Sequence, residues 1–145
     1  MDIDGILDDY QKDFLNSLLE GDRSRCIKFS EDFLSEGFDF NTLYEKLYRE
    51  VLYHVGYLWE RNEISVAKEH LATATIESVM NILYEKMSLP GKMERKVIVA
   101  CAVDELHQVG AKMVADIFEK NGWNSLFLGA STPLNELFEF IDDQK

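Results

Sequence analysis

The stretch Lys96-Val97-Ile98-Val99-Ala100-Cys101-Ala102 is apolar without interruption after its first residue. A strand covered on one face alternates apolar with polar residues, whereas a continuous run of this length suits a strand buried on both faces of a parallel sheet. Polar residues follow at once. Val103-Asp104-Glu105-Leu106 reads as a loop, and His107 stands just before the next helix. Open α/β sheets bind their ligands at the carboxyl ends of parallel strands, so His107 occupies a ligand position. Gly110 permits close approach. The helix beyond it carries Val109, Met113, Val114, Ile117 and Phe118 at three- and four-residue spacing and stops at Asn121-Gly122.

The same alternation continues to the end. Strand 96–102 and helix 108–121 are followed by a strand Ser125-Leu126-Phe127-Leu128, ended by Gly129, and a helix from Pro133 to about Ile141. A βαβα order implies a parallel sheet. Thr132 is the expected cap of the last helix, with Pro133 in its first turn.

The chain before this segment reads as four helices, giving a helical domain over 1–90 and an α/β domain over 95–145. The first helix spans about Ile6 to Glu20, with Leu7, Tyr10, Phe14, Leu15 and Leu18 on one face and Gly21 ending it. Asp22 caps the second, which carries Cys26, Ile27, Phe29, Phe33 and Leu34 and ends near Gly37. Thr42 and Glu45 form a capping box for the third, which runs through Leu43, Leu47, Val51, Val55 and Leu58 to Trp59. Ser65 opens the fourth, which extends to about Met87 before Leu89-Pro90-Gly91-Lys92 breaks it. In that helix Ala67, Ala72, Thr73, Ala74 and Thr75 keep side chains short, which admits a neighbouring helix or a large flat ligand. Phe29, Phe33, Phe38, Phe40, Tyr44, Tyr48, Tyr53 and Tyr57 read as the core of the bundle.

Composition narrows the function. The 46% hydrophobic content supports one good core or two small ones, and the net charge of -12 would repel a phosphate backbone, which excludes direct nucleic-acid binding. No run approaches a membrane span, and Met1-Asp2-Ile3-Asp4 lacks a signal-peptide profile, so the expected location is the cytoplasm. Cys26 and Cys101 lack any paired spacing and read as reduced, buried thiols. No G-x-G-x-x-G and no Walker loop is present.

Two motifs carry a family resemblance. Glu105-Leu106-His107-Gln108-Val109-Gly110 resembles the Asp/Glu-x-His-x-x-Gly signature of cobalamin (vitamin B12)-binding domains. Upstream, the segment Val55 to Ala74 resembles the helical cap of light-sensing and regulatory B12 proteins, with Trp59, nine residues, then Glu69-His70. The resemblance implies a four-helix cap before a Rossmann-like domain, and cobalamin, as adenosylcobalamin or methylcobalamin, as cofactor. It implies His107 as lower ligand to cobalt, Glu105 as hydrogen-bond partner of its imidazole, and Gly110 beside the corrin. Glu105 stands where many corrinoid enzymes carry Asp, and Asp104 is the adjacent alternative partner. Trp59, Glu69 and His70 would face the upper side. Without the resemblance, Trp59 would be a core anchor, Glu69 a surface glutamate, His70 partly buried, and His107 a loop or cap histidine. Glu69 and His70 diverge by about 100° and need not share a site. His54 reads as structural.

The segment from Arg95 onward holds two strands where the family's sheet has five, since each βαβ unit takes about 30 residues. The family's later serine motif and Gly-Gly segment have no counterpart. A two-stranded sheet leaves Val97, Ile98 and Val99 on an exposed edge, so a regulatory protein partner, a second copy of the chain or further strands would cover it. The implied function is a cobalamin-binding sensor or regulator, a B12-dependent photoreceptor acting on a transcriptional partner, and not itself an enzyme. The alternatives are a corrinoid methyl carrier of a methyltransferase system, and a shortened relative that has lost the cofactor and serves as a protein-protein module.

Overall fold

The computed structural model describes residues 8–145, which divide into two compact units, one ending at Lys86 and the other Met87–Lys145. Among the described residues the first unit is all helical and the second holds a two-stranded parallel sheet with two helices. Ile6 and Leu7, expected in the first helix, lie outside the described residues.

In the helical unit, α1 (Asp9–Glu20) begins at a capping box that the sequence reading missed: the Asp8 carboxylate accepts from Gln11 N–H, and the Gln11 side chain accepts from Asp8 N–H. Gly21 ends it in the left-handed region at φ 70°. Asp22 then accepts from Arg25 N–H and starts α2 (Arg23–Ser35), as expected. The third rod differs from expectation at its start. Thr42 is already helical and caps nothing; Asp39 is the cap, and accepts from both the N–H and the hydroxyl of Thr42. A carboxylate beside a helix N-terminus meets exposed amide donors and the positive end of the dipole, which favours it over the later threonine. The rod comprises α3 (Phe40–Thr42), a π-helical segment Leu43–Arg49 and α4 (Glu50–Glu60). Ser65 caps α5 (Val66–Tyr84) as expected, and the helix ends three residues short of Met87.

Leu43, Tyr44, Leu47 and Tyr48 of the π-helical segment are all buried. With Phe14, Leu18, Val51, Val55, Ile76, Val79, Met80 and Leu83 they form the core. Tyr48 stacks between Phe14 and Tyr44, each at 5.6 Å between ring centroids. Its hydroxyl reaches Ser30 Oγ at 2.7 Å, and Ser30 in turn donates to the Cys26 carbonyl at 2.9 Å. Burial pushes the Tyr48 hydroxyl well above its usual range and the Cys26 thiol up to about 12, so neither ionises near neutrality. The expected aromatic core is only partly correct. Phe38, Tyr53 and Tyr57 are exposed, Tyr53 at 65%. Tyr53 and Tyr57 each follow a buried valine, Val51 and Val55, by two residues, a rotation of about 200° around a helix, and so emerge on the opposite side.

In the α/β unit, β1 (Lys96–Ala100) pairs in parallel with β2 (Asn124–Gly129), Lys96 opposite Asn124 and Val99 opposite Phe127. The ladder shifts between Val99 and Ala100, which brings Ala100 opposite Gly129. β1 is two residues shorter than expected, and Val97 to Ala100 are half-buried rather than buried on both faces. Two strands and the helices α6 (Val109–Lys120) and α7 (Leu134–Asp143) are too few to cover both sides of a sheet. α7 accordingly has no fully buried residue, and Leu134 and Phe138 are exposed on it. On α6, Val109, Met113, Ala115 and Asp116 turn inward while Val114 is exposed, contrary to expectation. The Asp116 carboxylate is buried with Lys112 Nζ at 3.4 Å. Thr132 does not cap α7: Pro133 holds the cap position in an extended conformation, and the Thr132 N–H is engaged by the Cys101 carbonyl. Among the described residues no helix is long and apolar enough to cross a membrane.

Two substitutions test this account of the packing. Ser30→Ala strands the Tyr48 hydroxyl in the core without a partner and should cost about 1–3 kcal/mol, whereas Tyr48→Phe leaves Ser30 bonded to Cys26 and should cost less. Urea titrations that rank the two variants in the opposite order would contradict the assigned donor directions. Gly129 has φ 83°, and a methyl there would lie 3.0 Å from Gln108 Oε1. Gly129→Ala should therefore destabilise the α/β unit by about 1–3 kcal/mol, read as an earlier denaturation midpoint.

Candidate functional site

In the α/β unit, the site forms where β1 ends and its loop runs to α6. Asp104 adopts φ 68°, which turns the chain sharply, and Glu105 follows with its N–H bonded to the Ala102 carbonyl at 3.0 Å. The Glu105 side chain then folds forward. Its Oε1 accepts from the backbone N–H of His107 at 2.7 Å and lies 2.8 Å from His107 Nδ1. A carboxylate only accepts, so the ring proton of that contact sits on Nδ1, and in the neutral ring Nε2 then carries the lone pair. The His107 side chain is 81% exposed, and among the described residues its ring bonds through Nδ1. The His107 backbone N–H, with the ring contact adding to it, holds the Glu105 carboxyl below its ordinary range. Asp104, the alternative partner, contributes its N–H to Ser131 Oγ instead. Gly110 lies in the first turn of α6, and a Cβ added there would meet nothing within 4 Å. Open space lies beside it. Cys101 is buried behind the loop, and burial, with Glu105 nearby, raises its thiol.

In the helical unit, Trp59 lies in the last turn of α4 and is 46% exposed, which rules out a core anchor between two helices. Glu69 and His70 lie near the start of α5, and the structure brings them together although neighbours on a helix diverge. Glu69 Oε2 is 2.6 Å from His70 Nδ1, and Glu69 Oε1 accepts from Thr73 Oγ1 at 3.0 Å. The glutamate stem is long enough to bridge the next residue and the one a turn later. The expected exposures are reversed: the Glu69 side chain is 15% exposed and that of His70 is 75% exposed. His54 is half-buried against Tyr57, with ring centroids 5.9 Å apart, and takes no part.

Sequence reasoning missed three residues that hold these groups in place. Thr73 bonds Glu69. Gln108 Oε1 accepts from Ala130 N–H at 3.0 Å, and Ser131 bonds both Asp104 and Glu105. The Ser-Thr-Pro run after the second strand was the available signal for Ser131, since polar residues that accept left-handed geometry cluster at strand ends.

No cluster of three or more metal-ligating side chains exists among the described residues. Cobalamin would need no such cluster, because the protein would have to offer its cobalt only a single donor. An exposed imidazole, one nitrogen held by a carboxylate, fits that demand.

A family model described as the B12 binding domain matches residues 10–84. The HTH-type transcriptional repressor CarA of Myxococcus xanthus is 31% identical over 70 residues, which make up 48% of this chain and 24% of the repressor. Among solved structures, the monomethylamine corrinoid protein of Methanosarcina barkeri is similar at TM-score 0.76 and 16% identity, over 92% of this chain and 63% of that one. The methanol:cobalamin methyltransferase complex MtaBC of Methanosarcina barkeri is similar at TM-score 0.55 and 17% identity, over 94% of this chain and 53% of that one. These two likenesses show the fold, a helical unit followed by a Rossmann-like α/β unit. The chain spans about a quarter of the repressor and less than two thirds of either solved chain. With its helical unit matched almost throughout, the chain belongs to the B12 binding domain family.

Proposed function

We propose that the chain binds cobalamin and acts as a sensor or regulator rather than as an enzyme. The observation that carries the reading is the Glu105–His107 pair, which presents an imidazole edge to solvent at the carboxyl end of β1. His107 Nε2 would hold the cobalt. Glu105 retains the proton on Nδ1, orients the ring and strengthens the donor nitrogen. Because its hydrogen bonds hold Glu105 below the usual carboxylate range, the pair persists into mildly acidic solution and is lost only as pH falls through that lowered value. Gly110 leaves room for the corrin beside the loop.

Within the helical unit, Trp59, Glu69 and His70 are the candidate cofactor contacts: the exposed indole would offer a flat apolar face, and the Glu69–His70 pair would offer hydrogen-bonding groups to an upper ligand. When bound, the cofactor supplies a light-labile cobalt–carbon bond. The likeness to the repressor supports the regulatory branch, with a transcriptional protein as partner and a second copy of the chain as the other candidate for the half-covered sheet. The corrinoid methyl carrier is the second reading, favoured by the fold of the two solved structures.

Two experiments test this. Mixed with adenosylcobalamin, the protein should show a base-off, histidine-on spectrum that His107→Ala abolishes; an unchanged spectrum and affinity in the variant would sink the ligand assignment. Size-exclusion profiles in the dark and after green light separate the two readings. A shift in elution supports a light sensor, whereas unchanged elution with cleavage confirmed by absorbance favours the carrier.

A further inference from the structure

The loop that presents His107 is not held by its own residues alone. Parallel strands end on the same side of a sheet, so the segment after β2 runs beside the segment after β1. Their backbones are bonded to each other: Cys101 N–H to the Gly129 carbonyl at 3.0 Å, Thr132 N–H to the Cys101 carbonyl at 3.1 Å, and Ser131 N–H to the Glu105 carbonyl at 2.9 Å. Two side chains add to these bonds, one from each loop. Gln108 Oε1 accepts from Ala130 N–H at 3.0 Å, and Ser131 Oγ accepts from Asp104 N–H at 3.2 Å. Ser131 thus grips the loop at two successive residues, by its hydroxyl at Asp104 and by its own N–H at Glu105. Asp104 and Ser131 both have positive φ, 68° and 44°, a conformation rarely adopted without a compensating bond.

Glu105 and His107 follow directly from that grip. The Glu105 carboxylate reaches His107 only if the turn at Asp104 sets the direction in which the chain leaves β1. From this geometry we infer that Ser131 is a positioning residue for the Glu105–His107 pair, acting through the backbone of Asp104 and Glu105. This inference rests on the reading of His107 as the cobalt ligand. The Ser131 hydrogen bonds given by the described residues go to the backbone of the loop, at Asp104 and Glu105.

Two variants isolate the hydroxyl from the backbone requirement. Ser131→Gly accepts positive φ but removes the acceptor, whereas Ser131→Asn accepts positive φ and restores one. In the ligand-free protein, amide hydrogen exchange at Asp104 should accelerate about tenfold in Ser131→Gly, with protection in β1, β2 and α6 unchanged, and return toward the original rate in Ser131→Asn. With adenosylcobalamin, the histidine-on fraction should fall in Ser131→Gly and recover in Ser131→Asn. Unchanged exchange at Asp104 in Ser131→Gly would overturn the proposal, as would faster exchange with an unaltered spectrum. The failure of the underlying reading is distinct: a spectrum indifferent to His107→Ala overturns the ligand assignment, whereas one that responds to His107→Ala but not to Ser131→Gly overturns the positioning role.

Discussion

The α/β unit depends on the parallel pairing of β1 with β2. Because both strands run the same way, both loops leave at one end, and the register that sets Val99 opposite Phe127 also sets Cys101 against Gly129. Fixing one backbone residue costs about 1–2 kcal/mol of conformational entropy, so a loop of this length stays ordered only if bonds offset that cost. The ladder continues into the loops through Cys101, Glu105, Ser131 and Thr132 and supplies those bonds. His107 therefore starts from a fixed backbone, and its ring is then turned by Glu105.

The helical unit illustrates which signals are local enough to read. Gly21, Asp22 and Ser65 were legible because a cap involves residues two or three apart. Thr42 with Glu45 had the right spacing too, yet Asp39 caps the rod, since a cap is chosen among neighbouring candidates by where the chain enters the helix. Thr132 failed for a related reason: its N–H is committed to Cys101, a contact across the sheet that no short window reveals. Tyr53 and Tyr57 were misassigned by chemical type, although their two-residue offset from Val51 and Val55 marks the exposed face. The π-helical turn at Leu43–Arg49 left no mark in the pattern, because four inward residues at 43, 44, 47 and 48 also suit an ordinary helix.

The site divides in the same way. Glu105 and His107 are two residues apart, so the motif contained their contact; Glu69 and His70 are adjacent, yet their contact was missed because the rotation between helical neighbours describes Cβ positions and not the reach of a glutamate. Ser131 and Gln108 bond from one loop to the other, and only the strand register brings Ala130 and Ser131 to the His107 loop.

Two hydrogen-bonded pairs, one in each unit, make opposite demands. Ser30 and Tyr48 are wholly buried, so every polar atom there must be satisfied for the core to form, and the pair is bound up with stability. Glu105 and His107 are exposed, where water competes for both partners and screens their attraction, so their contact adds little to the fold. A single carboxylate oxygen nonetheless meets both the backbone and the ring of His107, which fixes the ring's direction more tightly than stability requires. The contact therefore sets the direction of an exposed ring rather than the stability of the unit, and the bonds that hold the loop beneath it come from the end of the neighbouring strand.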